Sequence, residues 1–138
     1  MNNTFFMEQE TKEKLDYFAE KYNNSTFIDN DPIGLVHRFS DQNDIEIFGL
    51  IIATLSWGNR KSIIKSGENL LKIMDNEPFK FVINFNENEL NLLNDFKHRT
   101  FNAFDLQFFI LRLQKIYKRF SSLEELFAPN FKKNKNSF

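Results

Sequence analysis

The fold of this chain is decided by residues 44–61, which read DIEIFGLIIATLSWGNRK. The first two thirds of this stretch are almost wholly apolar, and Ser40-Asp41 before it supplies a cap, so we expect a helix over residues 42–55. A helix that is apolar on every side has to be surrounded by other elements, which makes it the predicted centre of the domain. The stretch then breaks into SWGNRK, which contains the only tryptophan of the protein.

The segments on either side of this central helix also have helical patterns. The best periodic signal is residues 103–120, where apolar side chains fall on one stripe, and Asn59 and Asn102 precede helices as caps. Residues 79–85 alternate partly like a strand, but a lone strand would have no partner, so a helical turn is favoured. The predicted fold is all-α, with about seven helices around the central one: residues 7–22, 32–39, 42–55, 60–74, 79–85, 88–96, 103–120 and 122–128.

The remaining segments are predicted to be irregular. Residues 1–6 are expected to be loose, and residues 97–102 are expected to form a polar linker. A single, incomplete helical domain is predicted over residues 1–128, followed by a disordered basic tail over residues 129–138. Within the central helix Gly49 and Ala53 lie four apart, and we expect these small residues to let a neighbouring helix approach closely.

Composition excludes several classes of function. The chain has 138 residues, no cysteine and a net charge of −1, so disulfides, thiolate zinc sites and cysteine nucleophiles are excluded. The longest apolar run is too short to span a bilayer, which needs ~20 residues. No signal peptide is visible. The protein is expected to be cytoplasmic and not to bind a membrane.

The loop at residues 56–61 is the best candidate site. It enters a helix N-terminus, where free N–H groups and the helix dipole favour an anion such as phosphate. Arg60 and Lys61 add charge, and Trp57 is able to stack on a base. The alternative is that Trp57 covers the core while the cations are a solvated helix surface. Chemistry alone leaves these two interpretations equal.

Other candidates are weaker. Lys97-His98-Arg99, with Arg112, Lys115 and Arg119, forms a second basic patch that either follows a nucleic-acid backbone or is a charged outer helix face. His37 and His98 lack ligand spacing, and the four glycines are isolated, so no metal and no cofactor is expected. Glu46 is an acid in an apolar helix; its charge at the helix N-terminus explains it better than acid–base chemistry.

Several strings resemble a bacterial family of conserved hypothetical proteins of unknown function. They are DPI at residues 31–33, DIEI at 44–47, ATLSWGNRK at 53–61, MDNEPF at 74–79 and HRTFN at 98–102. The resemblance covers roughly residues 27–127. Members of that family are longer than this chain, and they resemble, more distantly, the helix-hairpin-helix DNA glycosylases.

The resemblance implies a contact with DNA. In those glycosylases a very apolar helix leads into a loop that is pushed into DNA at the lesion, a position that Trp57, Asn59 and Arg60 would occupy here. With the neighbouring cations, the candidate DNA-binding residues are Trp57, Asn59, Arg60, Lys61, His98 and Arg99.

The glycosylase pattern also implies what this sequence lacks. After the helix that corresponds to residues 103–120, it requires a glycine-containing hairpin and then a catalytic aspartate. Here the last glycine is Gly67, so the chain is expected to be the N-terminal half of such a protein, and catalysis by it alone is not expected.

Two functional hypotheses follow. The first is a DNA-binding, glycosylase-like helical module that lacks the catalytic half. The second is a non-enzymatic helical domain that binds a protein partner, or a second copy of itself, through exposed apolar surface.

Overall fold

The computed structural model describes residues 2–134, with side chains described from residue 8 to residue 128. The all-α prediction is confirmed: this range contains nine α-helices, one 3₁₀ helix and one very short hairpin. The elements are α1 Asn2–Tyr22, α2 Ser25–Asp29, α3 Ile33–Val36, α4 Gln42–Leu55, α5 Arg60–Ile73, α6 Pro78–Asn84, α7 Glu87–Leu90, the 3₁₀ helix Asn91–Leu93, β1 Lys97–His98, β2 Phe101–Asn102, α8 Ala103–Tyr117 and α9 Leu123–Asn134. Of the predicted tail, residues 129–134 continue α9, and residues 135–138 lie outside the described residues.

The chain divides into two compact units, the first of which ends at Asp31. In this unit α1 begins at Asn2, earlier than predicted, and stops at Tyr22. The side chain of Asn24 then accepts a hydrogen bond from the Phe27 N–H at 3.1 Å, which starts α2. Asn24 is therefore the N-cap of α2.

The second unit begins at Pro32 and is built around α4. The bounds of α4 agree with the prediction, because the side chain of Asp41 accepts hydrogen bonds from the N–H groups of Asn43 and Asp44 and so fixes its start. Its inner side chains are completely or almost completely buried: Ile47, Phe48, Ile51, Ile52 and Leu55. The helix is not enclosed on every side, however, since Ile45 and Leu50 are exposed.

The close helix approach lies at Gly67 of α5 and not at Gly49. A Cβ atom on Gly67 would overlap Leu35 and would lie 2.8 Å from Cδ1 of Ile52, so α3, α4 and α5 meet at this glycine. A Cβ atom on Gly49 would meet only Val36, at an ordinary 3.7 Å. Ala53 is exposed. The expectation that Gly49 and Ala53 make room for a helix was therefore wrong.

The predicted linker at residues 97–102 is instead an antiparallel hairpin. Its register pairs Lys97 with Asn102 and His98 with Phe101. Asn102 then caps α8, as predicted, by accepting hydrogen bonds from the N–H groups of Phe104 and Asp105. Because β1 contacts α5 and β2 contacts α8, the hairpin connects α8 with α5, the helix that follows the candidate loop.

Candidate functional site

The loop between α4 and α5 holds Trp57 at the protein surface. α4 ends at Leu55, and the Ser56 hydroxyl donates a hydrogen bond back to the Ile52 carbonyl at 2.7 Å. Gly58 then takes a positive φ of 109°, which reverses the chain direction before Asn59. The indole of Trp57 remains 41 % exposed.

The turn of the hairpin packs against this loop. Arg99 places its guanidinium carbon 5.2 Å from the centroid of the Trp57 ring, within the range of a cation–π contact. Arg99 itself has a positive φ of 56°. A Cβ atom on Gly58 would lie 2.6 Å from Nη1 of Arg99, and the φ of 109° is one that other residues rarely adopt, so glycine is favoured at this position. We call this exposed arrangement of Trp57, Gly58 and Arg99 the Trp57–Arg99 platform.

His98 lies beneath the platform rather than on it. The imidazole is 2 % exposed, its Nδ1 is 2.9 Å from Oγ of Ser66, and its ring meets Trp57 edge-on at 6.2 Å. Nε2 is buried, and it has no hydrogen-bond partner among the described residues. His98 thus contacts both Ser66 of α5 and the indole of Trp57. Because it is buried, it positions Trp57 and does not touch a ligand bound on the platform.

The remaining loop residues lie at the start of α5. The side chain of Asn59 accepts a hydrogen bond from the Lys61 N–H at 2.9 Å, which confirms Asn59 as the helix cap. Arg60 and Lys61 are exposed in the first turn of this helix. These two cations therefore follow Trp57 and Gly58 closely in the chain, whereas Arg99 reaches Trp57 from the turn of the hairpin.

Beside the platform runs an aromatic groove of about 520 Å³ that the sequence did not reveal. It is lined by Trp57, Thr100, Phe101, Phe104, Asp105, Phe108 and Phe109. Phe104 is 74 % exposed and Phe108 is 51 % exposed. A signal was present in the sequence, because residues 104, 108 and 111 follow helical spacing on the side of α8 away from buried Leu106 and Ile110.

Four cations form a second groove farther along α8. This cationic groove, about 690 Å³, is lined by Arg112, Lys115, Ile116, Lys118, Arg119, Phe120 and Leu126. Lys118 donates a hydrogen bond to Gln114, and Arg112 lies over the Phe108 ring at 4.5 Å, so the two grooves adjoin. Among side chains 8–128, none of Arg112, Lys115 and Arg119 is paired with a carboxylate.

Glu46 has a structural role in the second unit. Its Oε2 accepts hydrogen bonds from the Leu123 N–H at 2.6 Å and from the Tyr117 hydroxyl at 2.9 Å. Burial opposes ionisation, but these hydrogen bonds, with others from Gln42 and the Glu124 N–H, lower the pKa of Glu46. Burial, followed by the bond to Glu46, raises the pKa of Tyr117. Glu46 therefore caps the N-terminus of α9 rather than that of its own helix.

No group of three or more His, Asp or Glu side chains in the part of the chain with described side chains is arranged to hold a metal ion. None of the helices found there is long and apolar enough to cross a membrane.

Comparison with known proteins gives a family. Residues 31–138 match the family described as "Protein of unknown function (DUF2400)", and the chain belongs to that family. No curated protein and no solved structure matches the chain. The expected membership of a family of unknown function is thus confirmed, and it includes both distinctive strings, WGNRK and HRTFN. The likeness to helix-hairpin-helix glycosylases stays a prediction.

Proposed function

We propose that this chain is a DNA-binding helical module, similar to the N-terminal part of a helix-hairpin-helix DNA glycosylase, that acts in the cytoplasm of a bacterial cell. Trp57 and Arg99 contact the DNA, with Asn59, Arg60 and Lys61 beside them. His98 has a positioning role beneath the indole. The proposal assigns no chemical step to the chain.

The observation that carries the proposal is the Trp57–Arg99 platform. A surface tryptophan beside an arginine offers a base both a ring to stack on and a cation for the adjoining phosphate. Arg99 has a positive φ, which is strained for a residue other than glycine, and it contacts Trp57 although the two are far apart in sequence. Strain of this kind concentrates at functional sites.

Local charge makes this contact favourable despite the net charge of −1. Arg60 and Lys61 follow Trp57 and Gly58 closely in the chain. The cationic groove adds further positive charge along α8 and just after it. Each phosphate that such side chains neutralise releases counterions, so binding has to weaken steeply as salt is added.

The test is fluorescence anisotropy of labelled duplexes, fully paired or with one central mismatch, at several salt concentrations. We expect salt-dependent binding that falls by about 10-fold in Trp57→Ala and in Arg99→Ala. Leu92→Ala and Lys12→Gln, which change exposed residues outside the platform, are matched controls and retain wild-type affinity. Absence of salt-dependent binding, or equal binding by platform and control variants, would refute the proposal.

A second candidate function is supported by the exposed side chains of α8. Phe104, Phe108 and Leu111 form an apolar surface of the kind that mediates contact between proteins. A non-enzymatic interaction domain would form an oligomer, measured by analytical ultracentrifugation, that Phe104→Ala dissociates. It would show no affinity for DNA.

A further inference from the structure

The outer face of α8 changes character along its length. Its first half exposes Phe104 and Phe108, its second half exposes Arg112 and Lys115, and the turn that follows exposes Arg119. From residue 104 to residue 117, where α8 ends, this face is ~20 Å long, at 1.5 Å per residue. Arg112, stacked on Phe108, marks the boundary between the aromatic part and the cationic part.

The aromatic groove favours a flat, uncharged ring over a phosphate. Four phenylalanines and Trp57 line it, and Asp105 is the only charged residue among the described side chains of its wall. One oxygen of this carboxylate accepts the Asn102 N–H at 3.0 Å, as part of the cap of α8. The carboxylate would repel a phosphate there. A base instead presents an aromatic face, and its N–H groups donate hydrogen bonds to a carboxylate.

The cationic groove has the opposite preference. Its cations line a space that holds no described carboxylate, together with the apolar side chains Ile116, Phe120 and Leu126. Unpaired arginine and lysine side chains in this arrangement attract a polyanion. The two neighbouring grooves therefore match the two parts of a nucleotide chain, its bases and its phosphates.

We propose that α8 binds a segment of single-stranded or locally unpaired DNA, with its bases in the aromatic groove and its phosphates in the cationic groove. The inference rests on the proposed DNA-binding function and adds the class of DNA. In a paired duplex the base faces are stacked inside the helix, so the exposed rings of Phe104 and Phe108 would find no partner. An unpaired strand presents those faces, and stacking on aromatic side chains is how such strands are bound without sequence preference.

The experiment compares one labelled 20-nucleotide strand with the same strand in a perfect duplex, using the full chain and fluorescence anisotropy. We expect the single strand to bind more tightly than the duplex. Phe104→Ala/Phe108→Ala loses about 10-fold or more of the single-strand affinity, with the salt dependence unchanged. Leu92→Ala, which also truncates an exposed apolar side chain, leaves the affinity unchanged.

The cationic groove is tested by the slope of log affinity against log salt. Lys115→Gln lowers this slope by about 0.7, the value of one phosphate contact on a single strand. Lys12→Gln, in the first unit, does not change it. The substituted side chains are all exposed, so each variant is expected to fold. Circular dichroism and the urea midpoint check this for each variant.

Each remaining outcome overturns the inference in a recognisable way. Equal binding of strand and duplex, with no effect of Phe104→Ala/Phe108→Ala, refutes the inference but leaves the DNA-binding proposal intact. Absence of salt-dependent binding to any DNA refutes both. Loss of self-association in Phe104→Ala/Phe108→Ala, with single-strand affinity unchanged, assigns the aromatic groove to a protein partner instead.

Discussion

Replacement of Glu46 should destabilise the second unit by detaching α9 from α4. In the native protein Oε2 of Glu46 accepts hydrogen bonds from the Leu123 N–H and from the Tyr117 hydroxyl. Glutamine in its place keeps one carbonyl acceptor but loses the negative charge. Since hydrogen bonds to charged groups contribute about 1.5–3 kcal/mol each, and this carboxylate is only half-buried, we expect Glu46→Gln to cost about 1–2 kcal/mol.

The cost should depend on pH in a defined direction. The folded protein lowers the pKa of Glu46 below its ordinary value of 4.5, so the carboxylate contributes stability above pH 4.5. This contribution disappears as the pH falls through the lower, folded pKa. The difference in unfolding free energy between the wild type and Glu46→Gln should therefore be largest near pH 7 and should shrink on acidification.

Urea unfolding monitored by Trp57 emission measures this difference at several pH values. Asp95→Asn is a matched control, because it converts an exposed carboxylate of the same unit into an amide. Tyr117→Phe, combined with Glu46→Gln in a double-mutant cycle, should give a coupling energy of about 1 kcal/mol. A loss that is the same at every pH, or no larger than that of Asp95→Asn, would refute the capping role of Glu46.

Three further predictions concern stability. Gly67→Ala should lower the urea midpoint, because the overpacking against Leu35 costs about 1–3 kcal/mol and the gain in helix propensity is only about 1 kcal/mol. Gly49→Ala should raise the midpoint, because its Cβ makes only an ordinary contact with Val36 and the helix propensity improves. Gly58→Ala should cost about 1–2 kcal/mol, because its φ is 109° and its Cβ would displace Arg99. Gln114→Glu should cost about 3 kcal/mol of unfolding free energy. The amide nitrogen of Gln114 lies within 3.1 Å of the carbonyl oxygens of residues 82, 83 and 85 at the end of α6, and these oxygens would repel a carboxylate.

These three predictions are checked by the same urea titration. Equal effects of alanine at positions 49 and 67 would contradict the packing assigned to Gly67. A wild-type midpoint for Gly58→Ala would contradict the strained turn. A wild-type midpoint for Gln114→Glu would contradict the role of this amide as the cap of α6.

The elements that could be predicted from the sequence are those with a local cause. The bounds of α4 follow from its continuous apolar run and from the cap at Asp41. Asn59 and Asn102 were recognised as caps because a cap acts on the two or three residues that follow it. The WGNRK loop was recognised as a candidate site because an aromatic residue and two cations adjoin at a helix start.

The features that could not be predicted depend on contacts between distant residues. Glu46 caps a helix that begins 77 residues later, and nothing near Glu46 in the sequence indicates this partner. The hairpin has strands of two residues, too short for any alternation to be seen, and it forms because His98 and Phe101 pack inward. The contact of Arg99 with Trp57 follows from that hairpin, so the platform itself appears only in the folded chain.

The exposed aromatics of α8 were missed for a different reason. The apolar side chains of this helix lie on more than one face. The buried stripe is by itself sufficient to predict an amphipathic helix, so the exposed aromatic residues were not needed for that prediction. Phe104 and Phe108 were therefore not distinguished from core residues. Only the exposure of their side chains separates a packing role from a binding role.

The emission of Trp57, the only tryptophan in the protein, reports whether DNA contacts the Trp57–Arg99 platform. The purified chain is titrated with unlabelled single-stranded DNA at low salt, and salt is then added. The account predicts saturable quenching of the indole by a stacked base, reversal by salt, and a weaker response in Arg99→Ala. Unchanged emission at DNA concentrations that saturate binding by anisotropy would contradict it.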